Sequence, residues 1–374
     1  MRLISADFFI GGGRKMDSLK LYIEPGFESR YWLKNIYDGF LTEAAVAKKS
    51  VQELKKIEKN GGCEPVAIIG TESEWLERAV HSLAEANYRP VLISAGSAPT
   101  KKMLCSNVCF DLYEAVSDCI HYFVGAGRTR IAALGFRDLD FCDKIKQKAF
   151  LEVTNENGLK NCACVPLDDS HIDDFVSRID SFVGKFDAVI CSNDTLAVYL
   201  IKRMNEMGYD VPRSLYVIGM GNSSIGRNIS VPLTSVLLDY SKLGRQAVRL
   251  CKYLSANPGI FRCISYIKCD LVIRESTDNV PFQTASETPT IGSGGDEVYK
   301  NPELAEIIEI ESFLQECDDT DREIIKMMLK GHTYDEIASK LFIHIRTLSY
   351  RKTKMFKRLS VSTKEEFCAK IRRI

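Results

Sequence analysis

Between Leu19 and Ser276 short apolar runs alternate with longer stretches whose apolar positions recur every three or four residues. Runs at Pro65–Gly70, Pro90–Ser94, Arg130–Leu134, Ala188–Cys191, Leu215–Gly219 and Lys268–Ile273 are bounded by turn formers and predict strands. Glu74–Asn87, Tyr113–Gly125 and Thr195–Gly208 carry helical periodicity between them. Strand and helix in regular alternation predict an α/β body of parallel strands joined by crossover helices. Ligands bind such sheets at the carboxyl ends of their strands.

The last sixty residues follow a different pattern, of short amphipathic helices only. Thr320-Asp321-Arg322-Glu323 fits a capping box, apolar Ile324, Ile325, Met327, Met328 and Leu329 follow, and Gly331 supplies a left-handed stop. Thr333-Tyr334-Asp335-Glu336 is a second capping box, with Ile337, Ala338 and Leu341 giving its helix one apolar face. Phe342-Ile343-His344 makes a turn. From Ile345 onward Leu348, Met355 and Leu359 share one face, while Arg346, Ser349, Tyr350, Thr353 and Lys357 point largely away from it. A final helix with Phe367, Cys368 and Ile371 closes a small bundle. Two short helices across a tight turn, the second one basic, form a helix-turn-helix pattern.

Charge sharpens that reading. The whole chain has a formal net charge of zero, yet Leu304–Ser339 carries ten acidic and three basic residues, and Lys340–Ile374 two acidic and eleven basic. A basic block on an amphipathic helix suits the phosphate backbone of double-stranded DNA; a solvated basic helix without a nucleic-acid role is the plain alternative.

At 374 residues the chain is long enough for two or three domains. Thr277–Pro302 is rich in Thr, Ser, Gly and Pro and reads as a linker. The expected organisation is an N-terminal extension at 1–17, a sensor body at 18–276, a flexible linker at 277–303 and a DNA-binding domain at 304–374, mobile relative to the body.

The run from Asp321 to Phe367 resembles the LuxR-type DNA-binding domain. The resemblance rests on the acidic-Arg-Glu opening, the Gly-x-Thr-x-x-Glu-Ile-Ala centre from Gly331, the Thr347-Leu348 pair and the Leu-x-Val-x-x-Lys close from Leu359. Promoter-reading domains of sigma factors share the Tyr-x-Glu-Ile-Ala centre, but the close and the helix after it favour the LuxR type. That family usually opens its recognition helix with Ser-Pro, where His344-Ile345 stand here, so the usual cap and the preset φ of proline are both missing. The resemblance assigns base edges to Ser349, Tyr350 and Thr353, where no guanidinium can fork onto guanine. Arg346, Lys352, Lys354, Lys357 and Arg358 complete the DNA-binding set, the lysines and Arg358 on phosphates. Strong salt dependence and modest base discrimination per half-site follow, which a homodimer multiplies.

In the body, Asp187–Ala197, Met207–Pro212, Tyr216–Met220, Val231–Val236 and Leu271–Ser276 resemble, in order and spacing, the effector-binding domain of LacI-type repressors. Val108–Asp111 and Gly127–Ala132 echo it more weakly. The resemblance implies a two-lobed, periplasmic-binding-protein-like body of parallel sheets around a ligand cleft. It implies ligand contact for Asn193 and Asp194, which alternatively cap the helix that follows. Lys146 stands where the family has an effector-gripping Arg, a point charge in place of a planar fork, with a surface lysine as the alternative. Gly221-Asn222 stand where the family commonly has an Asp that binds sugar hydroxyls, which argues against a simple sugar. Tyr31-Trp32 match an aromatic pair beside the cleft, for ring stacking or ordinary core packing. The cleft is expected to serve an aromatic or nucleoside-like effector, or none. LacI-type repressors carry their helix-turn-helix at the N-terminus, and Met1–Asp17 is too short for one; DNA reading has moved to the other end.

The remaining composition removes other classes. Thirteen cysteines include no Cys-x-x-Cys array and no His at ligand spacing, so buried free thiols are expected, with no metal and no cofactor. No stretch suits a signal peptide or a membrane span, which predicts a cytoplasmic location. Gly-rich phosphate loops, Gly-x-Ser-x-Gly elbows and His-Glu-x-x-His are missing, so no catalytic residue is assigned and no enzyme expected. The expectation is a transcriptional regulator under small-molecule control; the alternatives are a ligand-independent oligomeric regulator, a sigma-like promoter-binding protein, or an enzyme on an α/β scaffold.

Overall fold

The computed structural model describes residues 18–26, 31–59, 62–70, 72–96, 105–136, 141–167, 175, 179–277 and 301–372. In chain order the body contains β1 (Ser18–Ile23), α1 (Tyr31–Val46), β2 (Ser50–Glu53), β3 (Pro65–Ile69), α2 (Ser73–Glu85), β4 (Arg89–Ile93), β5 (Ser106–Phe110), α3 (Leu112–Gly125), β6 (Ile131–Leu134), α4 (Phe141–Glu156) and β7 (Ala163–Val165). It continues with α5 (Ile179–Lys185), β8 (Ala188–Cys191), α6 (Asp194–Glu206), β9 (Tyr216–Met220), α7 (Ser224–Arg227), β10 (Thr234–Leu237), α8 (Tyr240–Ala256), β11 (Ile264–Ile267) and β12 (Asp270–Val272). The tail forms α9 (Pro302–Glu316), α10 (Asp319–Leu329), α11 (Tyr334–Lys340), α12 (Ile345–Arg358) and α13 (Lys364–Arg372).

These elements form two compact units. The first runs to Asp111 and takes back Tyr240–Lys268. Its six strands lie in the order β11-β5-β4-β3-β1-β2, all parallel. The inner strands are apolar on both faces because helices cover both sides, as Val66, Ala67, Ile68 and Ile69 of β3 illustrate.

The second unit comprises Leu112–Asp239 and Cys269 onward. Its sheet runs β12-β10-β9-β8-β6-β7, parallel except where β12 meets β10. The apolar run Lys268–Ile273 therefore enters the sheet antiparallel, against expectation. Its partner is β10, with Ser235 opposite Val272 and Leu237 opposite Asp270.

The tail bundle belongs to this second unit, and α9 is the reason. Asn301 caps it, its side-chain oxygen accepting from the amides of Glu303 at 3.0 Å and Leu304 at 3.3 Å, with Pro302 preset for the first turn. Leu304 and Ile307 lie in the sheet unit's core with Leu196, Leu200, Met204 and Ile225. Ile310, Phe313 and Leu314 lie in the bundle's core with Leu348, Met355 and Phe367. Ion pairs extend the same division: Glu303 faces Lys202 at 3.5 Å, while Glu309 meets Lys370 at 2.8 Å and Glu316 meets Arg358 at 2.9 Å. A domain starting at Leu304 and mobile relative to the body is the expectation; the first two turns of α9 pack into the core of the sheet unit. Most of the expected linker, and all of Met1–Asp17, fall outside the described residues.

Within the bundle α10 starts two residues before the expected capping box. Asp318 accepts from the Asp321 amide at 2.8 Å and Asp321 answers at 3.4 Å. Two carboxylates at this end also complement the helix dipole and hold Arg351 of α12, which a start at Thr320 would forgo. The Thr333–Glu336 box forms as expected, at 3.3 and 2.7 Å, and Gly331 ends α10 at φ +87°.

Candidate functional site

Helix α12 presents the basic face. Its opening lacks Ser-Pro, but His344 caps it, the ring Nδ1 accepting from the Arg346 amide at 3.1 Å. This is a cap the residue type did not announce. Leu348, Met355 and Leu359 are buried as the periodicity requires. On the opposite face Arg346, Tyr350, Thr353 and Lys357 are exposed at helical spacing, flanked by Ser349 and Lys354. Tyr350 is 74% exposed, an aromatic ring held in water by the spacing of the buried face. The Thr353 hydroxyl donates to the Ser349 carbonyl at 2.9 Å and keeps its lone pairs outward.

Two expected phosphate ligands are placed differently. Lys352 is half-buried with its ammonium over the rings of Tyr334 at 4.7 Å and Phe356 at 5.9 Å. Arg358 donates to Glu316 at 2.9 Å and Ser312 at 3.0 Å on α9, so it braces the bundle. Arg351, which sequence reasoning passed over, bonds Asp318 and Asp321 at 2.7 Å each. Its partners lie about thirty residues upstream, beyond any local signal.

The ligand candidates of the second unit gather at the carboxyl ends of β8 and β9. Lys146 on α4 is buried: its ammonium donates to Asp143 at 2.9 Å and to the Ser192 carbonyl at 3.1 Å. That removes the surface-lysine alternative and joins Lys146 to the turn that carries Asn193. The Asn193 side chain caps α6 by accepting from the Leu196 amide at 2.9 Å. Asp194 is 2% exposed and accepts from the Ser235 hydroxyl at 2.6 Å and the Ser223 amide at 2.5 Å. Burial raises its carboxyl above the usual range, opposed by those bonds and by Arg274. Gly219 lies so close beneath it that any Cβ would strike the carboxylate. Asn222 is buried too, with φ +53°; its side chain accepts from Arg274 at 2.6 Å and its amide donates to Ser235 at 2.9 Å. Ser235 thus joins Asn222 to Asp194.

Trp32 lies in the first unit, half-buried with its ring 5.4 Å from Tyr240. Tyr31 is placed by its backbone at the start of α1, and its side chain lies outside the described residues.

One residue of this site escaped sequence reasoning altogether. Glu311 of α9 is 2% exposed and receives the Thr195 hydroxyl at 3.4 Å and the Gln315 amide at 3.3 Å. Burial, and then the charge of Asp194 beside it, push its carboxyl up to about 7; Thr195, Gln315 and Ser223 oppose the rise. The signal was present, because Leu304, Ile307, Glu311 and Leu314 make one helical stripe.

Residues 120–277 match the family model of the periplasmic binding protein-like domain, and residues 319–369 that of the LuxR family of bacterial regulatory proteins. The NTD biosynthesis operon regulator NtdR of Bacillus subtilis is 34% identical over 91 residues, covering 24% of this chain and 28% of that one. The HTH-type transcriptional repressor PurR of Mannheimia succiniciproducens is 36% identical over 93 residues, 25% of this chain and 28% of that one. The chain thus spans under a third of the length of either regulator in these matches. Among solved structures, the lac repressor dimer bound to operator and an anti-inducer shares the fold at TM-score 0.55 and 15% identity, over 70% of this chain and 94% of that one. The chain carries both a LacI-like, periplasmic-binding-protein-like body and a LuxR-type helix-turn-helix domain.

Proposed function

We propose that this pairing of a LacI-like body with a C-terminal LuxR-type reader makes the chain a cytoplasmic DNA-binding transcription regulator that acts as a homodimer. The observation that carries the reading is the exposed stripe of Arg346, Tyr350, Thr353 and Lys357 on the second helix of a helix-turn-helix. In the major groove that stripe puts Ser349, Tyr350 and Thr353 at base edges and Arg346, Lys354 and Lys357 at phosphates. No helix among the described residues is long and apolar enough to cross a membrane, in keeping with a partner in the cytoplasm.

An effector is taken up at the carboxyl edge of the second sheet, with Asn193 as its first polar contact, and its binding shifts the population of tail arrangements. A second reading, a body that holds no effector, has its own support: Lys146, Asp194 and Asn222 all spend their polar atoms inside the fold. Isothermal titration with a nucleoside and sugar panel separates the two; saturable heat supports the sensor.

Selection from a random duplex pool with the intact chain tests the DNA reading. Enrichment of an inverted repeat is expected. Recovery of unenriched DNA at every round overturns sequence-specific regulation.

A further inference from the structure

Glu311 is the polar member of an otherwise apolar stripe, and the surface it meets belongs to the body. An apolar residue of similar size would pack there without desolvating a carboxyl, so packing does not account for it. It faces a second buried carboxyl, Asp194, which follows Asn193 at the end of β8. The Ser223 hydroxyl reaches both. Two acids so placed ionise together only at a cost, and a proton between them removes it.

We propose that Glu311 is a proton-operated latch: α9 and the bundle behind it dock firmly on the body while the Glu311–Asp194 pair carries a proton, and loosen when the proton leaves. Any ligand that draws on the Asn193–Asp194 turn acts on the same seat. The second statement rests on the function proposed above; the first does not.

The surroundings fix the sign. Toward Glu311, α6 presents Asp194 and Thr195, the segment entering α7 presents Ser223, and α9 itself presents Gln315. Arg274 is a cation that bears on the pair, and it acts on Asp194, while Asn222 also occupies its guanidinium. Lys202 and Arg203 meet α9 at Glu303, two turns away. The seated carboxyl near 7, against an ordinary 4.5, favours docking fully below pH 4.5 and loses that advantage as pH rises to about 7.

The test is amide hydrogen exchange on the full chain, without DNA, at pH 5.5 and pH 8 with labelling times scaled to equal chemical exchange. Protection of Leu304–Leu314 should fall on the order of tenfold from the lower to the higher pH, while β8 and β9 hold theirs. Glu311→Gln, a neutral isostere, should keep the protected level at both pH values, and Asp194→Asn, which removes the smaller cause of the rise and leaves the burial, should make the dependence shallower without abolishing it. Equal protection of α9 in the wild type at both pH values overturns the latch, as does a Glu311→Gln chain that keeps the wild-type pH response. If the duplex selection fails while this pH response is present, the DNA reading falls and the latch stands; the reverse pair of results removes the latch alone.

Discussion

The Arg351 guanidinium lies 2.7 Å from the carboxylate of Asp321, so the helix proposed to read DNA is pinned to the cap of the helix that opens the bundle. The same guanidinium nitrogen reaches Asp318, the cap residue itself, at 2.7 Å. Cap and ion pair are therefore one device. Arg351→Ala should cost the bundle about 1–2 kcal/mol, between an exposed pair and a charge-assisted bond, read as faster amide exchange in α10 and α12.

Acid should act through the same contact. Arg351, and then the Asp321 amide, hold the Asp318 carboxyl below its ordinary 3.8. A depressed acid stabilises the fold above its unfolded value and loses that contribution as pH falls through the folded one. The α10 cap should therefore loosen only below pH 3.8, earlier in Arg351→Ala, in an acid titration followed by exchange of the first turn of α10.

Lys357 and Lys352 are both basic residues of α12 with opposite expected phenotypes. Lys357→Ala should lower affinity for all duplexes and reduce the salt slope by about one phosphate's worth, roughly 0.9. Lys352→Ala should leave the slope nearly unchanged and cost the bundle about 0.5–1 kcal/mol through the lost ring contacts. Duplex titrations from low to high salt decide between them; equal slope changes for both would sink the distinction. Tyr350→Ala should alter sequence preference instead.

Lys146 should behave as a buried partner. Replacing it with Met removes the ammonium from Asp143, itself only 4% exposed, and should destabilise the second unit by about 3 kcal/mol in urea melts, with part restored by Asp143→Asn in the same chain.

Where α9 enters the body, Ile307→Ala removes a buried side chain and should cost about 2–4 kcal/mol of docking, with α9 exchanging faster while α11 and α12 keep their protection.

Much of this was readable from the chain. Ala188–Cys191 and Pro65–Ile69 fell where apolar runs placed them, and Leu348, Met355 and Leu359 turned inward as their spacing required. β12 was found but its direction was not, because an apolar run carries no sign. At the sites, one-dimensional patterns identified residues but not their partners. Asn193 was recognised and its capping role allowed for; that Asn222 answers to Arg274, or Arg358 to Glu316, depends on residues fifty-two and forty-two positions apart. Glu311 escaped for the opposite reason: it stood among many acids and counted as one more charge.

Because Leu304 and Ile307 complete one core and Ile310 and Phe313 another, sensor and reader cannot be exchanged like cartridges. A body shortened to Ser276 would bare a greasy seat, and a reader started at Asp318 would lose a wall of its own. Recombination that kept either half would have to carry the whole of this helix with it, and the half left behind would need a substitute before it could stay in solution.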